Sequence, residues 1–388
     1  MVDSPVALRN TLRRLADWPP DPTGVVTAYL DPHSTDNPNV RTGLIVLRDR
    51  RREIERGLER PARERFTEQV ERIEQEVEQR LPDVHGLALF AAADGRFEAA
   101  ETRLPLDNAV TLSRQPQLLS LARLADAEQA VVALVDTNTL RLFVHRSGSL
   151  EEIGLVDDQT DDYRQTAVGG WSQARFQRHV EAHREAFAKL GAEAIEQVVG
   201  LEEAKVLLLA GDEVAVPLLL EELPRRLAEM VRGTLRLGKR STPEEVAAEA
   251  LPALDRLREE DAADAAERLV GAALADAMAV VGVDATRRAL TIGQALEVVI
   301  DLGVLADRGK VNAEPRDGDE TAIEELEELV RLAAATDARV RFSADHAGLR
   351  EHGGAGALLR FRLDRAADEA AGDGEAAPAV PVTSGRPS

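Results

Sequence analysis

The sequence predicts an α/β protein of several domains, and three observations carry that expectation. Short apolar and β-branched runs alternate with helical stripes along most of the chain, the pattern of helices layered on sheets. The run Val206-Leu207-Leu208-Leu209-Ala210 has no polar residue on either face, so it reads as a strand covered by helices on both sides. At 388 residues, 44% of them apolar, the chain has material for more than one hydrophobic core.

In chain order, Val6 to Trp18 reads as a short helix stopped by Pro19-Pro20. Val25 to Leu30 is a strand closed by Asp31-Pro32. A charged helical region follows, in which Leu58, Ala62, Phe66, Val70, Ile73, Val77 and Leu81 recur at spacings of three and four. Gly86 to Ala91 returns to strand. Val131–Val135 and Leu140–Val144 form a hairpin around Asp136-Thr137-Asn138-Thr139, residues suited to a turn. A helix is expected from about Ser172 to Leu190, then the buried strand ending in Gly211-Asp212. Thr242-Pro243-Glu244-Glu245 starts another helix, with Thr242 as N-cap, Pro243 in the first turn and Glu245 completing a capping box. That helix runs toward Asp261 and is expected to bend near Pro252. Further on, Asp284–Leu296 leads into the strand Glu297–Asp301, and Gly353-Gly354-Ala355-Gly356 leads into a late strand. The expected division is an N-terminal α/β domain with long charged helices over 1–125, a central domain over 126–266, a third over 267–364, and a disordered tail rich in Ala, Gly, Pro and acids over 365–388.

Composition narrows the function. The net charge of −22 argues against coating nucleic acid by general attraction, although Arg48, Arg50, Arg51 and Arg52 form one basic group and Arg232, Arg236, Lys239 and Arg240 another. With no cysteine, thiolate chemistry and Cys-ligated metals are excluded. No run of 18 apolar residues and no signal-like start is present, so a cytoplasmic protein with no membrane partner is expected.

The most informative stretch is Gly169-Gly170-Trp171-Ser172-Gln173-Ala174-Arg175-Phe176-Gln177-Arg178. Two adjacent glycines strip the backbone of Cβ atoms and let it approach another surface closely. Arg175 and Arg178 share one helical face and are suited to gripping phosphates, as is Arg164 upstream. The plain alternative is an ordinary turn before a solvated helix.

This spelling resembles the eukaryotic and archaeal peptide-release factors, whose Gly-Gly-Gln tip is followed by Ser, then Arg-Phe and a further Arg. Gly169, Gly170, Ser172, Arg175, Phe176 and Arg178 fall at matching offsets, while Trp171 stands at the family's Gln position and Gln173 lies two residues later. The order hairpin, glycine loop, helix and buried strand resembles the family's ribonuclease-H-like central domain. The two glycine-to-strand signatures resemble its C-terminal domain, which shares the fold of ribosomal proteins that bind kink-turn RNA. The resemblance covers about 128–364 and includes release-factor-like relatives, among them Vms-like peptidyl-tRNA hydrolases and the hibernation factor Balon. No Asn-Ile-Lys-Ser, the motif associated with stop-codon reading, is present.

The resemblance implies ribosome rescue: hydrolysis of the peptidyl-tRNA ester inside the large subunit, with Gly169, Gly170, Trp171 and Gln173 at the reaction and Ser172, Arg164, Arg175 and Arg178 on RNA. Ribosomal RNA and the tRNA ribose surround the ester, so no catalytic triad, cofactor or metal is expected. The Trp171 N–H is a donor whatever its side chain, its ring offers a stacking face, and Gln173 either reaches the ester or starts the helix. A translational GTPase is the implied delivery partner; DNA is not a partner. The second reading is a hibernation-type factor that occupies the A site without cutting anything. Two others are weaker: zinc on His179 and His183, which lack the Glu of a metalloprotease helix, and a nuclease built on Asp136, Asp157 and Asp158.

Overall fold

The computed structural model describes residues 5–31, 42–80, 86–102, 106–126, 128–146, 148–157, 170–306 and 319–361. These form a mixed α/β protein with three sheets. The tail expected after residue 364, and Leu81 of the apolar stripe, lie outside the described residues.

The first unit runs α1 (Pro5–Ala16), β1 (Val25–Leu30), α2 (Thr42–Gly57), α3 (Arg60–Arg80), β2 (Gly86–Ala92), β3 (Phe97–Thr102), β4 (Ala109–Ser113) and α4 (Leu119–Ala125). Its antiparallel sheet has the order β3-β2-β1-β4. Successive strand residues face opposite sides, and here both sides are covered. Val26, Ala28 and Leu30 pack against Leu44 and Leu47 of α2 and against Phe66, Val70, Ile73 and Val77 of α3. Val25 and Tyr29 pack against α1 and α4. The stripe therefore holds through α3, while Leu58 falls in the break between two helices rather than within one. The buried Gln69 amide donates to the Gly24 and Ala91 carbonyls, tying α3 to the strand ends. The basic group on α2 is neutralised locally: Arg48 meets Glu74, Arg50 Glu53, Arg51 Glu55 and Arg52 Asp49.

The second unit comprises β5 (Ala130–Val135), β6 (Thr139–Arg146), β7 (Ser149–Asp157), α5 (Gly170–Leu201), β8 (Val206–Gly211), α6 (Ala215–Glu222), α7 (Arg225–Ala228), β9 (Val231–Leu235) and α8 (Pro243–Leu274). The sheet order is β7-β6-β5-β8-β9, antiparallel in its first three strands and parallel across β5, β8 and β9. Strand β8 is buried on both faces, as its unbroken apolar run requires. Leu207 and Leu209 face α5 and α6, whereas Leu208 and Ala210 face Val246, Ala250 and Ala253 of α8. At the end of β8, Gly211 has φ +143, and a Cβ built there would lie 2.0 Å from the Val135 carbonyl oxygen. Only glycine fits both the backbone angle and the approach of the two strands.

Helix α8 begins as the sequence requires. The Thr242 side chain accepts the Glu245 N–H, and Glu245 in turn accepts the Thr242 N–H. Such a cap contributes about 1 kcal/mol. The helix does not stop near Asp261 but continues through Pro252 to Leu274. Its second half, through Ala265, Ala266 and Leu269, packs on the third sheet. One helix therefore serves two sheets.

The third unit holds β10 (Ala279–Val281), α9 (Val283–Thr291), β11 (Ala295–Asp301), α10 (Gly303–Ala306), α11 (Asp319–Ala335), β12 (Arg339–Ser343), α12 (Ala347–Arg350) and β13 (Ala355–Leu359). The order is β10-β13-β11-β12. Val299 faces α8, and Val298 and Ile300 face α11. Beyond α11 the core does not close. Leu326, Leu329, Val330 and Ala333 share one cluster with Leu8, Leu12 and Leu15 of α1 and Leu118, Leu121 and Ala122 of α4. The first and third units thus meet along a common apolar seam.

Glu327 of α11 is the polar fastener of that seam. Its carboxylate accepts the N–H groups of Leu118 and Leu119 at the start of α4. Burial pushes its pKa up to about 7, against the pull of those two hydrogen bonds and of Arg331. A carboxyl whose folded pKa is raised holds its proton more tightly when folded, so stability is full below the ordinary range and falls as pH rises. The window runs from about 4.5 to about 7. Asp126, raised to about 6 by burial, acts in the same direction.

Two outcomes are expected. Denaturant titrations of the wild type should lose stability between pH 5 and pH 7.5, with Glu327 contributing on the order of 2 kcal/mol; Glu327→Gln should flatten that loss, and an unchanged slope would remove Glu327 from the account. Gly211→Ala should cost about 2–4 kcal/mol in the same assay, because the new methyl group displaces a strand rather than a side chain.

Candidate functional site

The candidate site is built on α5, and its position follows from how that helix is anchored. Phe187, Ala192, Ile195 and Val199 recur on one face and pack on β5, β8 and α6. At Gly191 a Cβ would meet Leu219 at 3.3 Å and Leu140 at 3.4 Å. That glycine is a packing contact within the helix, and α5 runs on to Leu201 instead of stopping at Leu190.

The other end also differs. Helix α5 starts at Gly170 rather than Ser172, so Gly170, Trp171, Ser172 and Gln173 lie in its first turn and Arg175 and Arg178 in the following ones. The helix is unbroken from Gly170 to Phe187, and at 1.5 Å per residue this places Gly170 about 25 Å along the axis from the anchor. The N–H groups of Gly170, Trp171 and Ser172 have no carbonyl of their own helix to bond. They carry the positive end of the helix dipole. Gly169 and Arg164 lie outside the described residues, as do the side chains of 170–183, including those of Trp171, Gln173, Arg175, Arg178, His179 and His183.

At the carboxyl edge of the same sheet lies a compact polar group whose members the sequence shows separately but does not bring together. Asp136 follows β5 and Asp212 follows β8, side by side because those strands are parallel and in register. Asp212 accepts the N–H groups of Val214 and Ala215, capping α6 at 2.8 and 2.7 Å. Asp136 accepts the Thr137 N–H at 2.7 Å and pairs with Lys239 at 3.0 Å. Burial alone would raise its pKa, but these partners outweigh it and hold the carboxylate below its ordinary range. Arg184 of α5 lines the same hollow with Asp136, and among the described residues its enclosed Nε has no hydrogen-bond partner. The Gly-Asp turn after a buried strand was the available signal; Lys239, distant in sequence, gave none.

Asp136 is committed to Lys239, Asp158 and the Asp157 side chain lie outside what is described, and among the described residues no three His, Asp or Glu side chains gather as metal ligands. The second basic group is also largely paired: Arg232 makes a two-point contact with Asp261, and Arg236 lies 3.4 Å from Glu213. Among the described residues no helix is long and apolar enough to cross a membrane.

Comparison with known proteins adds the following. Residues 116–255 match the model of bacterial archaeo-eukaryotic release factor family 10, a stretch spanning α4 to the first turns of α8 and including all of α5. No curated protein matches the chain. Among solved structures, the archaeal translation termination factor aRF1 is 17% identical, over 93% of this chain and 99% of that one, with a TM-score of 0.28. Dom34 of S. cerevisiae, described as a translation termination-like factor involved in RNA quality control, is 12% identical over 72% of this chain and 79% of its own, with a TM-score of 0.43. Archaeal Pelota, in a model of its ribosome-bound complex with ABCE1, is 13% identical over 94% and 96%, with a TM-score of 0.41. Over residues 116–255 the chain is accordingly similar to bacterial archaeo-eukaryotic release factor family 10.

Proposed function

We propose that this protein works on the ribosome, where the glycine start of α5 enters the peptidyl-transferase cavity and promotes hydrolysis of peptidyl-tRNA, freeing stalled chains without reading a stop codon. The observation that carries this reading is the unbroken helix from Gly170, anchored about 25 Å away at Phe187. A stiff arm starting at glycine brings backbone N–H donors close to the ester, because Gly170 has no side chain to hold them off. Water adds to the ester carbonyl, the developing oxyanion takes the N–H groups of the first turn, and the tRNA ribose oxygen leaves with a proton. One well-placed oxyanion donor is worth about 10²–10³ in rate.

In this reading Gly169, Gly170, Trp171 and Gln173 line the reaction, with Gln173 orienting the water. Ser172, Arg164, Arg175 and Arg178 grip RNA phosphates, and large-subunit RNA and peptidyl-tRNA are the partners. The second unit, 126–266, would act as a ribonuclease-H-like carrier of the arm. The third, 267–364, would act as the counterpart of kink-turn-binding ribosomal proteins, and a translational GTPase would deliver the whole in the cytoplasm. One specific observation favours a second reading, occupancy without hydrolysis as in hibernation: Trp171, a bulky stacking surface, stands where the family has Gln.

Purified ribosomes carrying labelled peptidyl-tRNA separate the two. For the enzyme, peptide is released, Gly170→Ala lowers the rate at least about tenfold and Gln173→Ala lowers it less. Alanine at Gly170 favours the helix itself by up to about 1 kcal/mol, so lost release at full stability reports a clash with the ribosome rather than unfolding. Ribosome binding that blocks tRNA entry but releases nothing leaves the hibernation reading. Failure to bind ribosomes at all removes both.

A further inference from the structure

The two parallel strands that carry α5 end in acids that the fold forces together. Val135 and Gly211 are register partners at the ends of β5 and β8. Their backbones pass so closely that a Cβ on Gly211 would meet the Val135 carbonyl oxygen at 2.0 Å. Asp136 and Asp212 are the next residues, and their side chains lie within hydrogen-bond reach of each other. Neither is free to swing out into water. Asp136 Oδ1 accepts the Thr137 N–H, which tightens the β5–β6 turn, and Asp212 Oδ1 accepts the Val214 and Ala215 N–H groups that start α6. Carboxylates held in this way repel unless a cation answers them or one takes a proton.

The cation comes from far along the chain. Lys239, in the connection between β9 and α8, places its Nζ 3.0 Å from Asp136 Oδ2. Among the described residues no other cation makes an ion pair with Asp136 or Asp212. The connection is itself held in place: Arg141 donates to the Ser241 carbonyl at 2.5 Å, and Thr242 opens α8 with its capping box. From the acids the effect passes to the arm. Val214, Ala215 and Leu218 of the α6 region share a hollow with Arg184 and Phe187 at the root of the arm, and Leu219 packs beside Gly191. Repulsion that displaced the start of α6 would disturb the seat of Phe187.

We propose that Lys239 is a positioning residue for the α5 arm: its ammonium clamps the carboxylates at the ends of β5 and β8 and so fixes the α6 seat from which the arm is aimed. The inference rests on the proposed function only for what the arm does. Lys239 touches no reacting atom, and its effect is read in the direction of the arm.

The chain has no cysteine, so Ala174→Cys on the arm and Lys205→Cys beside the start of β8 take a pair of spin labels in the full-length protein. Pulsed dipolar spectroscopy of this parent is expected to give one narrow distance. Lys239→Met keeps the aliphatic stem, removes the charge and is expected to lose that narrow distance, whereas Lys239→Arg retains it. Adding Asp136→Asn to Lys239→Met removes the repulsion as well, and the narrow distance is expected to return. General loosening of the fold would give no such recovery, because a second substitution would only add to it. A parent that is already broad, an unchanged distance in Lys239→Met, or a double variant as broad as the single one overturns the clamp. Distances that respond as described in a protein that releases no peptide remove the hydrolytic reading and uphold the clamp.

Discussion

The packing of Phe187, Ile195 and Val199 of α5 against the parallel strands β5 and β8 fixes more of this protein's behaviour than any other contact. A helix of 32 residues is long enough that anchoring one half dictates where the other half points. No side chain in the first turn needs to be positioned independently. The price is rigidity at the anchor, which explains why Gly191 and Gly211 sit where they do. At Gly211 a methyl group would prevent the approach of the strand ends, whereas at Gly191 it would meet two leucine side chains at 3.3 and 3.4 Å, a tight contact between helix and sheet.

That anchored unit is joined to the rest through α8. Its first half closes the opposite face of the β8 sheet, and its second half closes one face of the β11 sheet. The remaining face of the β11 sheet is covered by α11, which is itself buried against α1 and α4 of the first unit. Apolar contact therefore passes from the first unit to the third and from the third to the second. Glu327 occupies the middle of this route. A carboxylate there meets the donors of a helix start, but in a setting that disfavours its charge, so the strength of the seam depends on whether the proton is present.

Much of this was legible in the sequence wherever burial leaves a periodic trace. The all-apolar β8, the stripe from Phe66 to Val77 and the Thr242–Glu245 cap each announce themselves locally, and each appears where expected. Sheet edges were less visible. Strand β7 carries Glu151, Glu152 and Gly154 and leaves Ile153 and Leu155 exposed, so it shows no alternation to read. Strand β3, another edge, is similarly half exposed. The ends of α5 were misplaced for a different reason: a glycine is silent about whether it ends a helix or makes room for a neighbour. For the site, the glycine pair and its arginine flank were visible, whereas the pairing of Asp136 with Lys239 and the seam around Asp126 depend on residues about 100 to 200 positions apart and had no local signature.

The pairing of charges bears on how so acidic a chain would approach RNA. Both basic groups evident in sequence are largely consumed internally, by Glu53, Glu55, Glu74 and Asp49 in one case and by Asp261, Glu213 and Asp136 in the other. A phosphate arriving at those arginines would have to displace a carboxylate already in place, so net attraction there is small. With a net charge of −22, long-range steering toward RNA is repulsive and weakens as salt screens it. Affinity for a ribosome would then rest on close-range contact: backbone donors at the start of α5 and cations not committed to a carboxylate. A protein of this kind would discriminate by shape, because charge alone gives it no reason to stay on RNA that the arm does not fit.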